Sequence, residues 1–442
     1  MNKVKLELLN YIRIILSLIV IFIGLKIFAY SLPEESIQTN IERSITQLEQ
    51  EGIYPRPFYA SDSIAFSGQQ LDNWTDAIFL DIAYVQSEIP ILKAVAGDFR
   101  MRAEGENPLE CLINAVQHKQ QGDNVELYDY SRQWFGGEVI LRPLLLFFTY
   151  PQIRILMQVV AMMLLIMGCM SIYSNLGTNA TWAYLIGILC INPFTASFSL
   201  NLANGFFVML VSAIAIPKLK NDKWDTKVML IIGGATAYFD LFVAPFLTYT
   251  VCVQLFLIKT LKQKETNWKE SFWYLVKISI GWVLGYLLLW SAKWLLASLV
   301  LGKNSFQDAF KEMILFSSEL KPAWGPETSF GIIKDAIIFN FMNLFPINMI
   351  FESSNGLIFF GAIGIICILF RTLKNKSINI DKNYIIYLLA SLAPYVWYIV
   401  VHVHSFVHYW FQYRLQAGTI IGMIFVYLEL TEKRMRSDKL KG

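Results

Sequence analysis

Residues 228–258 read VMLIIGGATAYFDLFVAPFLTYTVCVQLFLI, an apolar run too long for one ordinary bilayer crossing, which takes about 20 helical residues. Lys218, Lys220, Lys223 and Lys227 precede it, and Lys259, Lys262 and Lys264 follow it. Short loops rich in Lys and Arg face the cytoplasm, so both flanks belong on one side. The rule is satisfied if the run goes out and returns as two short helices that turn near Asp240 and Pro245, where proline cannot continue a helix. A single strongly tilted span is the alternative.

Working outward, further apolar runs occur at about 11–30, 152–173, 182–198, 202–216, 272–301, 357–371, 384–401 and 415–430. With the hairpin they predict an all-α polytopic membrane protein of about ten transmembrane helices, a single integral membrane domain over 1–442. The first run follows Lys3, Lys5 and Arg13 and lacks a small-residue cleavage site before Pro33, Glu34 and Glu35, so it is expected to remain as a span. Basic residues at 371–382 and at 433–441 set the remaining orientation. Both termini are then cytoplasmic. Residues 31–137 form a long first extracytoplasmic loop with amphipathic helices, and 302–355 form a second extracytoplasmic segment. A bacterial plasma membrane is the expected location.

Composition agrees: 55% of residues are hydrophobic and only 16% charged, too apolar for a soluble domain of this length. The net charge of +3 resides in short loops and reads as topology, with no nucleic-acid partner expected. Four of the five cysteines lie in apolar runs, with no disulfide framework or zinc spacing.

The unusual polar residues gather on the outer side. Asp72 and Asp76 are four apart and share a helix face in DNWTDAIFLDIAY, as a carboxylate pair or as an N-cap and a first-turn residue. In 128–138, Trp134 offers a ring for a sugar or for the membrane interface, and Arg142 shortly after needs an anionic partner or an interfacial position. Asp240 is a lone acid in the hairpin, read as functional or as a buried partner of Lys293. The densest cluster is HVHSFVHYWFQYR at 402–414. His404 and His408 have a spacing that suits one divalent metal ion on a helix. Tyr409, Trp410 and Tyr413 supply rings, and Arg414 supplies a planar fork for phosphate with His408 assisting. An interfacial aromatic cluster with hydrated histidines is the structural alternative.

A cytoplasmic N-terminus, a long first outer loop carrying Asp72, Asp76 and Asp81, many spans, and a late cluster ending in Arg414 together resemble the integral membrane glycosyltransferases of the GT-C superfamily. The resemblance covers the chain as architecture. It implies a sugar taken from a polyprenyl-phosphate carrier, a glycan or lipid acceptor, membrane lipid as surroundings, and an acid of the first outer loop as base. In many members that acid lies soon after the first span, where this chain has only Glu34 and Glu35. The base therefore stands between Asp76, Asp72 and the glutamates. On this reading Arg414, His408 and Arg142 meet the donor phosphate, and Asp240, Trp134, Tyr409, Trp410, Tyr413 and His404 line the pocket. A multipass transporter or flippase of lipid-linked or polar solutes is the chief alternative, although only Lys277 and Lys293 lie well inside a span and no inverted repeat is visible. A noncatalytic envelope-assembly scaffold is the third.

Overall fold

The computed structural model describes residues 3–58, 61–86, 89–263, 267–315, 324–352 and 383–439. The described residues are mostly helical. The first part comprises α1 (Lys3–Tyr30), α2 (Glu34–Glu51), α3 (Asn73–Val85), α4 (Ile91–Gly97), α5 (Pro108–Gln120) and α6 (Glu138–Leu145). Next come α7 (Tyr150–Leu176), α8 (Thr178–Leu189), α9 (Pro193–Ser197), α10 (Leu200–Ala215), α11 (Asp225–Phe239) and α12 (Pro245–Gln263). Then follow α13 (Trp268–Leu301), α14 (Ser305–Ile314), α15 (Ser329–Met342) and α16 (Ile347–Glu352). The last are α17 (Asn383–Ser391), α18 (Ala393–Val400), α19 (His402–Val407), α20 (Tyr409–Gln412) and α21 (Ala417–Lys439). Two short strands, β1 (Phe99–Met101) and β2 (Leu127–Asp129), pair antiparallel within the long loop.

Six helical segments among the described residues are long and apolar enough to cross a membrane: Lys5–Tyr30, Tyr150–Leu176, Leu200–Lys218, Trp268–Leu301, Asn383–Val400 and Tyr409–Lys433. Lipid is the natural solvent for their outward faces. The run at 182–198 does not form one span, because Asn192 adopts a left-handed backbone at φ 52° ahead of Pro193 and separates α8 from α9. The run expected at 357–371 lies outside the described residues.

The 228–258 run is a hairpin. α11 ends at Phe239 and α12 starts at Pro245. The carboxylate of Asp240 accepts from the amides of Val243 (2.8 Å) and Ala244 (3.1 Å), which forms the turn. α11 packs on α13 with backbones nearly touching. A Cβ on Gly285 would lie 2.0 Å from the carbonyl oxygen of Leu230, and one on Gly233 would lie 2.1 Å from that of Trp282. Small residues on both helices permit this approach, which dispersion rewards where lipid supplies no hydrophobic drive.

At one end of the bundle basic residues meet local acids: Lys227 lies 3.9 Å from Glu7, Lys259 2.5 Å from Asp225, and Lys262 2.8 Å from Glu429. The long loop covers the opposite end. Trp134 Nε1 donates to the carbonyl of Leu289 (2.8 Å), Trp294 Nε1 to that of Arg132 (3.0 Å), and the amide of Gly136 to that of Tyr238 (2.9 Å). Deeper in, Asp98 holds two ammonium groups from different spans, Lys26 and Lys293, and also accepts from Tyr30. All three charged side chains are fully buried.

Candidate functional site

A cavity of about 490 Å³ lies at the loop-covered end, where three distant segments meet. The N-terminus of α3 supplies Asp72 and Trp74, the α11–α12 turn supplies Leu241–Val243, and the 402–411 region supplies His404, His408 and Trp410. One face of α13 also lines the cavity, where Tyr286, Trp290 and Trp294 follow each other at four-residue steps. Their rings, with Trp282 one turn earlier, contact in sequence at 5.0, 6.1 and 5.6 Å between centroids. Among the other lining rings, Trp410 meets Tyr54 edge-on at 5.4 Å. A lining of aromatic rings interspersed with polar groups suits a ligand with apolar faces and a hydroxylated rim.

Asp72 is the acid at this edge. It is the N-cap of α3: one oxygen accepts from the Thr75 amide (3.1 Å) and the other from Asn201 Nδ2 (2.6 Å). Burial, with the negative charge of Asp76 adding, pushes its pKa up to about 6. No cation among the described residues pairs with it. Asn201 Oδ1, the Tyr286 hydroxyl and Trp290 Nε1 are buried polar atoms with hydrogen-bonding capacity left unused by the described residues. At the rim, Arg132 Nη1 lies 3.0 Å from Glu312 and 3.7 Å from Asp308, both on α14.

The rings of His404 and His408 contact each other, tilted by 58°, at 4.6 Å between centroids. His404 Nε2 donates to the carbonyl of Phe242 (2.9 Å), which removes that nitrogen from metal ligation. Burial drives the His404 pKa well below its usual value and that of His408 to about 4, so both rings are neutral at pH 7. His408 borders the cavity as a neutral ring and brings no charge to a phosphate. Among the described residues no group of three His, Cys, Asp or Glu gathers as a metal site.

Several expected site residues lie elsewhere. Asp76 is fully buried and its carboxylate anchors the start of α10, accepting from the Tyr150 and Ser199 hydroxyls and from the amides of Leu200 (3.3 Å) and Asn201 (2.8 Å). It does not face the cavity. Arg414 is buried and donates to the carbonyls of Trp410 (3.3 Å) and Gly68 (3.1 Å). Arg142 clamps the end of α1 to α3 through the carbonyls of Ala29 (2.9 Å) and Ala83. Neither arginine reaches the cavity. Trp134 is buried under Lys293, and its ring offers no sugar platform. Asp240 is spent on its turn, and Lys293 pairs with Asp98. Tyr413 donates to the carbonyls of Ile191 and Gly68, and Tyr409 packs against Phe339. Both lie behind the wall.

No family model, curated protein or solved structure matches this chain.

The residues that sequence reading missed are Tyr286, Trp290 and Trp294, together with Asn201, Arg132 and Glu312. The aromatic ladder carried a signal, since four rings at four-residue spacing fall on one helix face. Arg132 and Glu312 carried none, because a charge in an outer loop is ordinarily solvated. A second hollow at the basic end, bordered by Asn179, Lys262 and Glu432, has no aromatic wall, and its polar groups satisfy one another through Lys262–Glu429 and Asn179–Glu432.

Proposed function

We propose that this chain is a membrane glycosyltransferase that moves a sugar from a polyprenyl-phosphate carrier to a glycan or lipid acceptor at the outer membrane face. The observation that carries the reading is Asp72, a buried carboxylate without a counter-ion, set at the edge of an aromatic-walled cavity in a membrane-embedded chain. A base with a pKa near 6 is ionised at neutral pH and still takes a proton from an acceptor hydroxyl as the glycosidic bond forms. The base role thus passes from Asp76, whose lone pairs are occupied, to Asp72. Rings of Trp290, Trp410 and Tyr54 contact the sugar, while Asn201 and Tyr286 read its hydroxyls. Leu287 and Met313 on the cavity wall are half exposed toward the bundle exterior, which suits a ligand with a lipid tail.

The test is transfer by protein purified into lipid nanodiscs, assayed with a panel of polyprenyl-phosphate-linked sugars. Asp72→Asn is the informative variant because Asn is an equally good N-cap, and rotation of the Asn201 amide offers its free oxygen to the new NH₂. Turnover is expected to drop by roughly a hundredfold or more with folding retained. Near-normal turnover in folded Asp72→Asn rejects Asp72 as base. No transfer with any lipid-linked donor, alongside solute or lipid flux in proteoliposomes, would replace the enzyme with a transporter.

A further inference from the structure

Arg132 is the guanidinium at the cavity rim, and its position does not depend on the acids it touches. Its carbonyl accepts from Trp294 Nε1 on α13 (3.0 Å), its guanidinium lies over the Tyr130 ring at 4.9 Å, and the neighbouring Gln133 side chain donates to the carbonyl of Leu241. The cation is therefore held from the loop and from α13. Its partners differ in kind. Glu312 and Asp308 come from the ten-residue helix α14, which is held to α13 by the Ser305 amide on Ser298 Oγ (3.1 Å) and by ring contacts of Phe306 and Phe310 with Trp294 at 5.6 and 5.9 Å. Ser305 and Ala309 are buried while Phe310, Met313 and Ile314 are about half exposed, so α14 lies along the cavity edge with one face packed inward and its two acids at the rim. The Arg132 side chain keeps a quarter of its surface open. A fixed cation thus meets a removable carboxylate at the mouth of a ligand cavity.

We propose that Arg132 is the anion seat of this cavity and that Glu312 and Asp308 occupy it in the ligand-free protein, so that a phosphate monoester or diester binds by displacing these two carboxylates. The proposal rests on the lipid-linked donor reading above and names the group that meets its phosphate. A planar fork suits phosphate as well as carboxylate, and a phosphate monoester carries one more non-bridging oxygen than either acid. The two α14 acids then act as internal competitors: they hold the seat while the cavity is empty, and they lower the apparent affinity for anionic ligands.

The proposal is tested by equilibrium binding of geranylgeranyl phosphate, geranylgeraniol and inorganic phosphate to the full chain in neutral-lipid nanodiscs. The proteins are the unmutated chain, the double variant Asp308→Asn/Glu312→Gln, Arg132→Gln and Arg132→Lys, each checked for folding by thermal unfolding. The double variant is expected to bind the lipid phosphate about tenfold tighter, with geranylgeraniol binding unchanged. Arg132→Gln is expected to bind the lipid phosphate about tenfold or more weakly, with Arg132→Lys between. A gain seen also with inorganic phosphate identifies free phosphate as a sufficient ligand, and a gain confined to the lipid identifies a headgroup. Lipid phosphate affinity that is unchanged or lower in the double variant overturns the competition, and normal affinity in folded Arg132→Gln overturns the seat. Because binding needs no acceptor, failure of sugar transfer leaves this result intact and rejects the transferase reading alone.

Discussion

Two aspartates one helical turn apart have opposite fates, and the difference lies in what stands opposite each. Asp76 meets two hydroxyls and two amides of a helix start, whereas Asp72 meets one amide, one carboxamide and the cavity. Replacing Asp76 with Ala leaves buried donors without an acceptor, so unfolding of the purified protein is expected to be easier by about 3 kcal/mol or more. Asp72 predicts a pH effect. Its pKa is raised on folding, so its favourable contribution is complete below about pH 4 and is lost as pH rises through about 6. Thermal melts should accordingly show Asp72→Asn gaining on the unmutated protein between pH 4 and 7. Turnover should rise through a limb near pH 6 that the variant lacks. Reading the chain singled out Asp72 and Asp76 by their helical spacing, Arg414 by its polar, aromatic cluster, and Asp240 and Arg142 by one criterion, a charge in apolar surroundings. That criterion cannot separate a charge aimed at a cavity from one aimed at backbone, because burial of either raises the same demand for partners.

Among elements, α13 does two jobs on two faces. One face presents Tyr286, Trp290 and Trp294 to the cavity, and another presents Gly281 and Gly285 to α11. Trp290→Phe keeps a ring in the wall but removes the indole N–H, so KM for the sugar donor is expected to rise roughly threefold to tenfold with kcat little changed. Steady-state transfer kinetics separate this from a folding defect, which would lower the active fraction instead. Gly285→Ala belongs to the other face. Its new methyl would enter backbone of α11, and a loss of about 1–3 kcal/mol is expected in thermal unfolding with the cavity residues untouched. The long spans and the hairpin were legible because hydropathy and lysine flanks report them directly. The break between α8 and α9 was not: the apolar run continues through it, and Asn192-Pro193 is too brief a signal to outweigh the hydropathy around it.

At the scale of the molecule, Asp98 joins α1 to α13 across separations of 72 and 195 residues. Such pairings arise only once the loop has folded back, which is why no local pattern announced how 31–137 would dock. Asp98→Asn would leave two buried ammonium groups facing an amide, and a loss of about 3–5 kcal/mol is expected, read as a collapse in folded yield. Replacing Lys26 and Lys293 with Met in the same chain should recover much of it, since the liability is the unpaired charge. The α11–α12 hairpin bears on biogenesis. α11 has 15 residues, about 22 Å of helix against a hydrocarbon layer of about 30 Å, and its seat is α13, which the ribosome delivers only afterwards. A nascent chain arrested at Asn267 would present a hairpin without its groove, to be held by the insertion machinery or left at the lipid headgroups. Translation past Leu301 supplies the groove, so integration of this hairpin, scored by shielding of a cysteine placed in the α11–α12 helices from an aqueous thiol reagent, should follow the emergence of α13 rather than its own.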